Sequence, residues 1–358
     1  MSELAGERPA GLPAPNVRGV GASIRTTLRA HVETWRPYTL WYVGLVSLGG
    51  AALAGGTGHP WRLLAAWAAP TAGWLGGHYL GDYFDRELDA GSKPHRPIPS
   101  GRLSPRAALV CGGFCFIVLA ALAVVGSWGT MAAAVVGACG IVAYSRWLKA
   151  RGVAGNLVRG ALGAVALLYG AAAAGRWPDP AVLALLSLLA VVFWLHDTMS
   201  NLVGTLRDVD GDQAGGFGTL PVRRGTPFAV WTAISLYTAM IAAALPVGPL
   251  VGAGARLAYL ITLGAVVVLG AVALAPLIAR RADLSVIAAL RAHEVLVVER
   301  VVLASAVVGL GLGVRWQLGL VVPMAALSWW TQSAMRARHE LGTTRTVPSV
   351  RVSVEDAR

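Results

Sequence analysis

Residues 106–126 read Arg-Ala-Ala-Leu-Val-Cys-Gly-Gly-Phe-Cys-Phe-Ile-Val-Leu-Ala-Ala-Leu-Ala-Val-Val-Gly. After the opening arginine the run carries no charge, and at ~1.5 Å per residue a helix of this length crosses the ~30 Å hydrocarbon core of a bilayer. Nine further runs of the same kind lie at 38–56, 62–81, 130–147, 156–175, 180–204, 226–247, 255–279, 296–313 and 317–334. The composition agrees: 56% of the 358 residues are hydrophobic, 13% are charged, and the mean hydropathy is +0.61. Such a chain has too little polar surface to coat a soluble globule. The expected fold is therefore all-α, a polytopic transmembrane helix bundle of about nine to ten spans.

The net charge of +12, from 30 Lys+Arg against 18 Asp+Glu, would suit nucleic acid if the basic residues shared one soluble face. Instead they fall between apolar runs, where they set membrane orientation. With the N-terminus inside, the outer side holds only Arg62, Arg176, Arg256 and Arg315, leaving 26 of the 30 on the inner side. That asymmetry predicts a multi-pass cell-membrane protein with both termini and the charged loops cytoplasmic. The domain reading follows: a flexible cytoplasmic tail over 1–37, one transmembrane domain over 38–334, and a cytoplasmic C-terminal tail over 335–358. The first tail contains no apolar core of a cleavable signal peptide. Cys111, Cys115 and Cys139 lie inside apolar runs with no metal or redox spacing, and read as packing residues.

Seven of the 18 acids fall in two short windows, both at inner ends of apolar runs: Asp82, Asp85, Glu87 and Asp89, then Asp208, Asp210 and Asp212. At ~100° per residue Asp82, Asp85 and Asp89 share a helix face, as do Asp208 and Asp212. Clustered carboxylates repel one another unless cations sit among them. Two such ledges suit a hard divalent ion, Mg2+ above all, which is held by one or two carboxylates together with substrate phosphates. Arg36, Lys149 and Arg207 stand on the same side and suit a diphosphate. Further along the sixth run, Asp197 and Asn201 lie near the Asp208 face, and ionisable residues inside a span are functional candidates. Trp74 and Trp194 are candidates to line a cavity, and His196 reads as structural.

At this point the chain resembles the UbiA-type superfamily of intramembrane prenyltransferases. The run Gly81-Asp82-Tyr83-Phe84-Asp85-Arg86-Glu87-Leu88-Asp89, with the trailing Lys93, Pro94, Arg96, Pro97 and Gly101, resembles the family's first Asp-rich motif and loop. Arg207-Asp208-Val209-Asp210-Gly211-Asp212 resembles the second, Arg36-Pro37 the pre-helix motif, and Tyr144 through Lys149 the Tyr…Lys segment. The resemblance covers roughly 35–225 and departs from the family pattern at Gly81, at Gly204 and Thr205, and at Gly218.

It implies a central cavity capped by cytoplasmic loops. It also implies a metal site at Asp82, Asp85 and Asp89, and a second at Asp208 and Asp212. Arg36, Lys149, Arg207, Lys93 and Arg96 would hold an isoprenoid diphosphate, with Tyr144 beside the reacting carbon. The implied activity is Mg2+-dependent ionisation of that diphosphate and prenyl transfer to an aromatic or other lipophilic acceptor. A membrane terpene cyclase that needs no acceptor is the alternative, and a transporter a more distant one. The expected partners are the substrate, the acceptor and the lipid bilayer, with no nucleic acid.

Overall fold

The computed structural model describes residues 24–176 and 178–342. The described residues form fourteen α-helices: α1 (Ile24–Trp35), α2 (Pro37–Leu53), α3 (Pro60–Phe84), α4 (Arg86–Ser92), α5 (Pro105–Gly126), α6 (Trp128–Ala143), α7 (Val153–Ala173), α8 (Pro180–Thr205), α9 (Val209–Ala214), α10 (Leu220–Arg224), α11 (Thr226–Ala244), α12 (Ala253–Ala279), α13 (Val286–Leu312) and α14 (Val314–Leu341). The ten long ones, α2, α3, α5–α8 and α11–α14, correspond to the ten apolar runs. Seven of them, α5–α8 and α11–α13, are long and apolar enough to cross a membrane, which makes the chain a multi-pass membrane protein.

Local chemistry sets the helix starts. Proline occupies the first turn of α2, α3, α5, α8, α10 and α11, where its missing N–H costs no hydrogen bond. Ser104, Asp179 and Ser285 accept from the backbone of Ala107, Val182 and Ala288, capping α5, α8 and α13. Ser127 and Thr130 form a reciprocal capping box that opens α6.

Small residues set the packing. Helix α2 runs through the middle of the bundle against α3, α7 and α13. At its crossings a Cβ on Gly170 would strike the Ser47 carbonyl, and one on Gly50 the Leu167 carbonyl. Close backbone approach of this kind replaces the hydrophobic force that lipid cannot supply between helices. The main apolar core, with Tyr42, Leu45, Leu167, Phe193, Met199 and Leu202 fully buried, lies around that crossing.

Three boundaries differ from the sequence expectation. Part of the supposed N-terminal tail is helix α1: its buried Glu33 pairs with Arg102 Nη1 at 2.7 Å and Arg29 Nε at 3.4 Å. The Arg102 pair, with His31 and Trp35 bonded to the Tyr79 hydroxyl, docks α1 against the bundle. Helix α13 starts at Val286 rather than 296, because Ser285 supplies a cap, and so it takes in Glu294. Helix α14 continues past 334 to Leu341 and ends at Gly342, whose φ of 72° is the left-handed conformation of a helix stop. Its last turns are buried rather than a tail, with Arg336, His339 and Glu340 all under 9% exposed. The remaining parts of the two expected tails, 1–23 and 343–358, lie outside the described residues.

Because a side chain at position 170 would meet backbone, Gly170→Ala is expected to destabilise the bundle by about 1–3 kcal/mol. Gly264→Ala on α12, with nothing within 4 Å of the added carbon, should be neutral or stabilising. Unfolding both variants in mixed micelles checks the contrast.

Candidate active site

Each acidic window straddles the junction between a long helix and a short one. Asp85 ends α3 and opens α4, while Asp208 opens α9 three residues after α8 ends. The breaks leave carboxylates at one end of the bundle, around a single cavity of about 410 Å³. Asp82, Asp85 and Asp89 line it from one side, and Asp208, Asp210 and Asp212 from the other. The two ledges inferred from the sequence therefore share one space.

Cationic side chains hold the ledges. Asp82 pairs with Arg36, Asp85 accepts from Lys149 Nζ at 2.6 Å, and Asp89 accepts from Arg96 Nη1 through both oxygens at 3.0 and 2.9 Å. Lys93 Nζ, on the loop after the first window, reaches Asp208 Oδ1 of the second at 2.7 Å. Arg36 is the only non-glycine with positive φ among the described residues, at 48° and directly before Pro37. A left-handed residue there costs roughly 1–3 kcal/mol and persists only where its surroundings enforce it. Here the Asp82 pair and a 3.1 Å bond from Nε to His339 do so.

The hub of the cluster is a residue the sequence reading missed. Glu340, 7% exposed on the last turn of α14, accepts from Lys93 Nζ at 3.2 Å and Arg96 Nη2 at 3.0 Å, and lies 3.2 Å from Arg207 Nη2. Helix-stop signals, basic residues in the last turn and Gly342 just beyond it, were available to extend the helix to it. Arg159, Arg300, His293 and Arg336 also line the cavity and were missed, because basic residues in membrane helices read first as topology.

The other expected residues divide. Tyr144 lines the cavity from a π-helical turn over Tyr144–Leu148. Asn201 donates to its hydroxyl at 3.3 Å and accepts from Asn156 at 2.8 Å. Asp197 and Trp74 line the deeper part, where Arg159 lies 3.9 Å from the Trp74 ring centroid and Arg300 5.7 Å. Trp194 does not line the cavity. It is 39% exposed on the outside of α8, where the bond from its indole N–H to the Leu157 carbonyl holds the ring. His196 is fully buried, with Nε2 2.5 Å from Glu299 Oε2.

The electrostatics match a site for a polyanion and hard cations. Burial works against the Asp208 charge, but Arg207 and Lys93 outweigh it and hold the carboxyl below the usual range. Burial, and then the neighbouring Asp208, push the Asp212 carboxyl up to about 6. Asp82 Oδ2 is buried with no hydrogen-bond partner among the described residues. All the ledge donors are carboxylate oxygens, the set that hard divalent ions take. Among the described residues no three His, Cys, Asp or Glu side chains converge on one point, so such an ion would need ligand oxygens from a substrate as well.

A membrane helix bundle whose cavity sets carboxylate ledges against lysines and arginines is a class built around a highly charged anionic substrate. The chain matches the UbiA prenyltransferase family over residues 43–293. It is 36% identical over 250 residues to the digeranylgeranylglyceryl phosphate synthase of Ignicoccus hospitalis, covering 69% of this chain and 81% of that one. Its fold matches that of a UbiA homologue from Aeropyrum pernix K1 with a TM-score of 0.60 at 16% identity, over 75% of this chain and 96% of that one. For a UbiA homologue from Archaeoglobus fulgidus bound to GPP and Mg2+ the TM-score is 0.57 at 14% identity, over 78% and 99%. The chain belongs to the UbiA prenyltransferase family and is a membrane prenyltransferase.

The raised Asp212 carboxyl sets a pH signature. Its folded value of about 6 lies above the unfolded value of about 3.9, so the folded state keeps a proton that the unfolded state has shed. The Asp212 contribution to stability is therefore present below pH 4 and lost as pH rises toward 6. Unfolding the chelator-treated protein across that window should show this loss in the wild type relative to Asp212→Asn, where it disappears.

Proposed function

We propose that this enzyme ionises an isoprenoid diphosphate at the two acidic ledges and transfers the prenyl group to a hydroxyl of a phosphate-bearing lipid acceptor. The observation that carries the first half is the single cavity on which both ledges and their cations converge. Asp85 and Asp89, with Asp82 beside them, would hold one Mg2+, and Asp208 and Asp212 another, with substrate oxygens completing each set. The bound ions would neutralise charge on the leaving diphosphate. Arg36, Lys93, Arg96, Lys149 and Arg207 would hold the diphosphate oxygens. Tyr144, at the edge between the charged mouth and the deeper cavity, would face the reacting carbon. Walls drawn from α2, α3, α7, α8 and α13 exclude water from the allylic cation. The Archaeoglobus homologue, which binds GPP and Mg2+, supports this reading of the donor end. The loops around the mouth face the cytoplasm in this reading, as the Lys and Arg asymmetry requires. The described helices, α1 and the last turns of α14 included, act as one catalytic domain.

The acceptor class rests on the deep end. Arg300 is 6% exposed, lines the cavity, and has Nε and Nη2 without hydrogen-bond partners among the described residues. A buried guanidinium in a membrane bundle calls for an anion. Together with Arg159 it supports an acceptor carrying phosphate, the chemistry that the relatives' name specifies. The same two guanidiniums argue against a cyclase, whose carbocation would have to travel down the prenyl chain toward them.

Incubation with geranylgeranyl diphosphate, Mg2+, and a panel of prenyl glyceryl phosphates and neutral aromatic alcohols tests the reading. Phosphate-bearing acceptors should be prenylated, and Asp85→Asn or Asp208→Asn should each lower diphosphate release about 10²-fold or more. No release under any condition would overturn the enzyme reading, and prenylation of neutral acceptors alone would overturn the acceptor class. Arg300→Gln should raise KM for the acceptor about tenfold with the donor KM unchanged, read from steady-state kinetics.

A further inference from the structure

The membrane interior holds a chain of polar groups that the donor chemistry leaves unused. Tyr42 on α2 donates to Asp197 Oδ1 at 2.8 Å, and His196 Nδ1 lies 3.3 Å from the same oxygen. The other ring nitrogen of His196 is 2.5 Å from Glu299 Oε2 on α13, and the Tyr237 hydroxyl on α11 is 3.4 Å from Glu299 Oε1. His196 and Glu299 are both fully buried. Tyr42 and His196 thus meet one oxygen of Asp197, and Glu299 stands behind His196. The second oxygen, Oδ2, has no hydrogen-bond partner among the described residues, although Asp197 is only 4% exposed and lines the cavity. Gly163 of α7 makes the room, since a Cβ there would collide with Oδ2. The charged groups facing this carboxylate are Arg159 from α7 and Arg300 from α13.

An unpaired carboxylate oxygen inside a membrane bundle is costly, and a structural aspartate would use both oxygens. Here one oxygen is held by Tyr42 and His196, while the other is buried beside Gly163 at the cavity wall with no hydrogen-bond partner among the described residues. That asymmetry belongs to a proton acceptor held by an orienting partner. We infer that Asp197 is the catalytic base that takes the proton of the acceptor hydroxyl, with Tyr42, His196 and Glu299 as positioning residues. The inference rests on the prenyl-transfer reading above. The donor C1–O bond breaks and its electron pair leaves with diphosphate. The acceptor hydroxyl oxygen forms the new bond to C1, and its proton passes to Asp197 Oδ2. Arg159 and Arg300, both beside the Trp74 ring, would hold the acceptor's anionic group while its hydroxyl meets Oδ2.

The test uses the full-length enzyme with geranylgeranyl diphosphate, Mg2+ and two acceptors. These are geranylgeranylglyceryl phosphate and an analogue whose hydroxyl is made more acidic by a neighbouring trifluoromethyl group. Asp197→Asn should slow transfer to the ordinary acceptor about 10²-fold or more, with a deficit at least about tenfold smaller for the acidic one. Glu299→Gln should show the same pattern with smaller factors. Binding of geranylgeranyl thiolodiphosphate serves as the folding control. If Asp197→Asn loses that binding, Gly163→Ala, which keeps the carboxylate and crowds Oδ2, is read through the same two-acceptor comparison. Transfer within about threefold of wild type, or an equal deficit with both acceptors, overturns the inference. A wild type that releases no diphosphate from any donor overturns the prenyl-transfer reading and this inference with it. An active wild type with an unaffected Asp197→Asn overturns the base assignment alone.

Discussion

The ammonium of Lys93, bonded to Asp208 at 2.7 Å and Glu340 at 3.2 Å, joins three segments that are distant in sequence. The loop after the first acidic window, the start of the second window and the last turn of α14 meet there. A mostly apolar bundle can keep charge at such a place only when each charge is matched. Asp82, Asp85, Asp89, Asp208 and Glu340 face Arg36, Lys149, Arg96, Lys93 and Arg207, a balanced set. Removing one partner would leave its mate buried and uncompensated, so the cluster ties the short helices α4 and α9 to the loop after the first window and to α14. The strained backbone of Arg36 is stable for the same reason.

The glycine-mediated crossings of α2 with α7 and α13 do the complementary work. They bring helices near enough that side chains of α2, α7, α8 and α13 share one cavity wall, which places Tyr42, Arg159, Asp197 and Arg300 within reach of one another. Charge organises the mouth and close backbone packing organises the depth. The apolar composition makes both necessary, since neither water nor a hydrophobic force between helices is available inside the bilayer.

The extent to which the sequence revealed this differs between the two ends. The two windows were legible because acids are scarce in the chain, so their clustering and helical spacing stood out, and the structure brings them to one cavity. The helices were legible from unbroken apolar length. Glu340 was not, because it lies beyond the last apolar run, where hydropathy carries no signal and only a helix stop at Gly342 could extend the reading. Arg159 and Arg300 were hidden by the rule that basic residues mark topology. Trp194 was placed in the cavity on proximity in sequence to Asp197, whereas a bond to the Leu157 carbonyl holds its ring at the outer surface. His196 was read as structural from its isolation in sequence. Its partner Glu299 lies 103 positions away, a distance only packing can close.

The account stands on the claim that one diphosphate is held between the two acidic windows. A crystal or electron-microscopy structure with geranylgeranyl thiolodiphosphate, with Mn2+ in place of Mg2+ for anomalous detection, addresses it most directly. The account predicts metal density at Asp85 and Asp89 on one side and at Asp208 and Asp212 on the other, with diphosphate oxygens against Arg36, Lys93 and Lys149. Metal at neither window, or a diphosphate bound away from the cavity mouth, would contradict it.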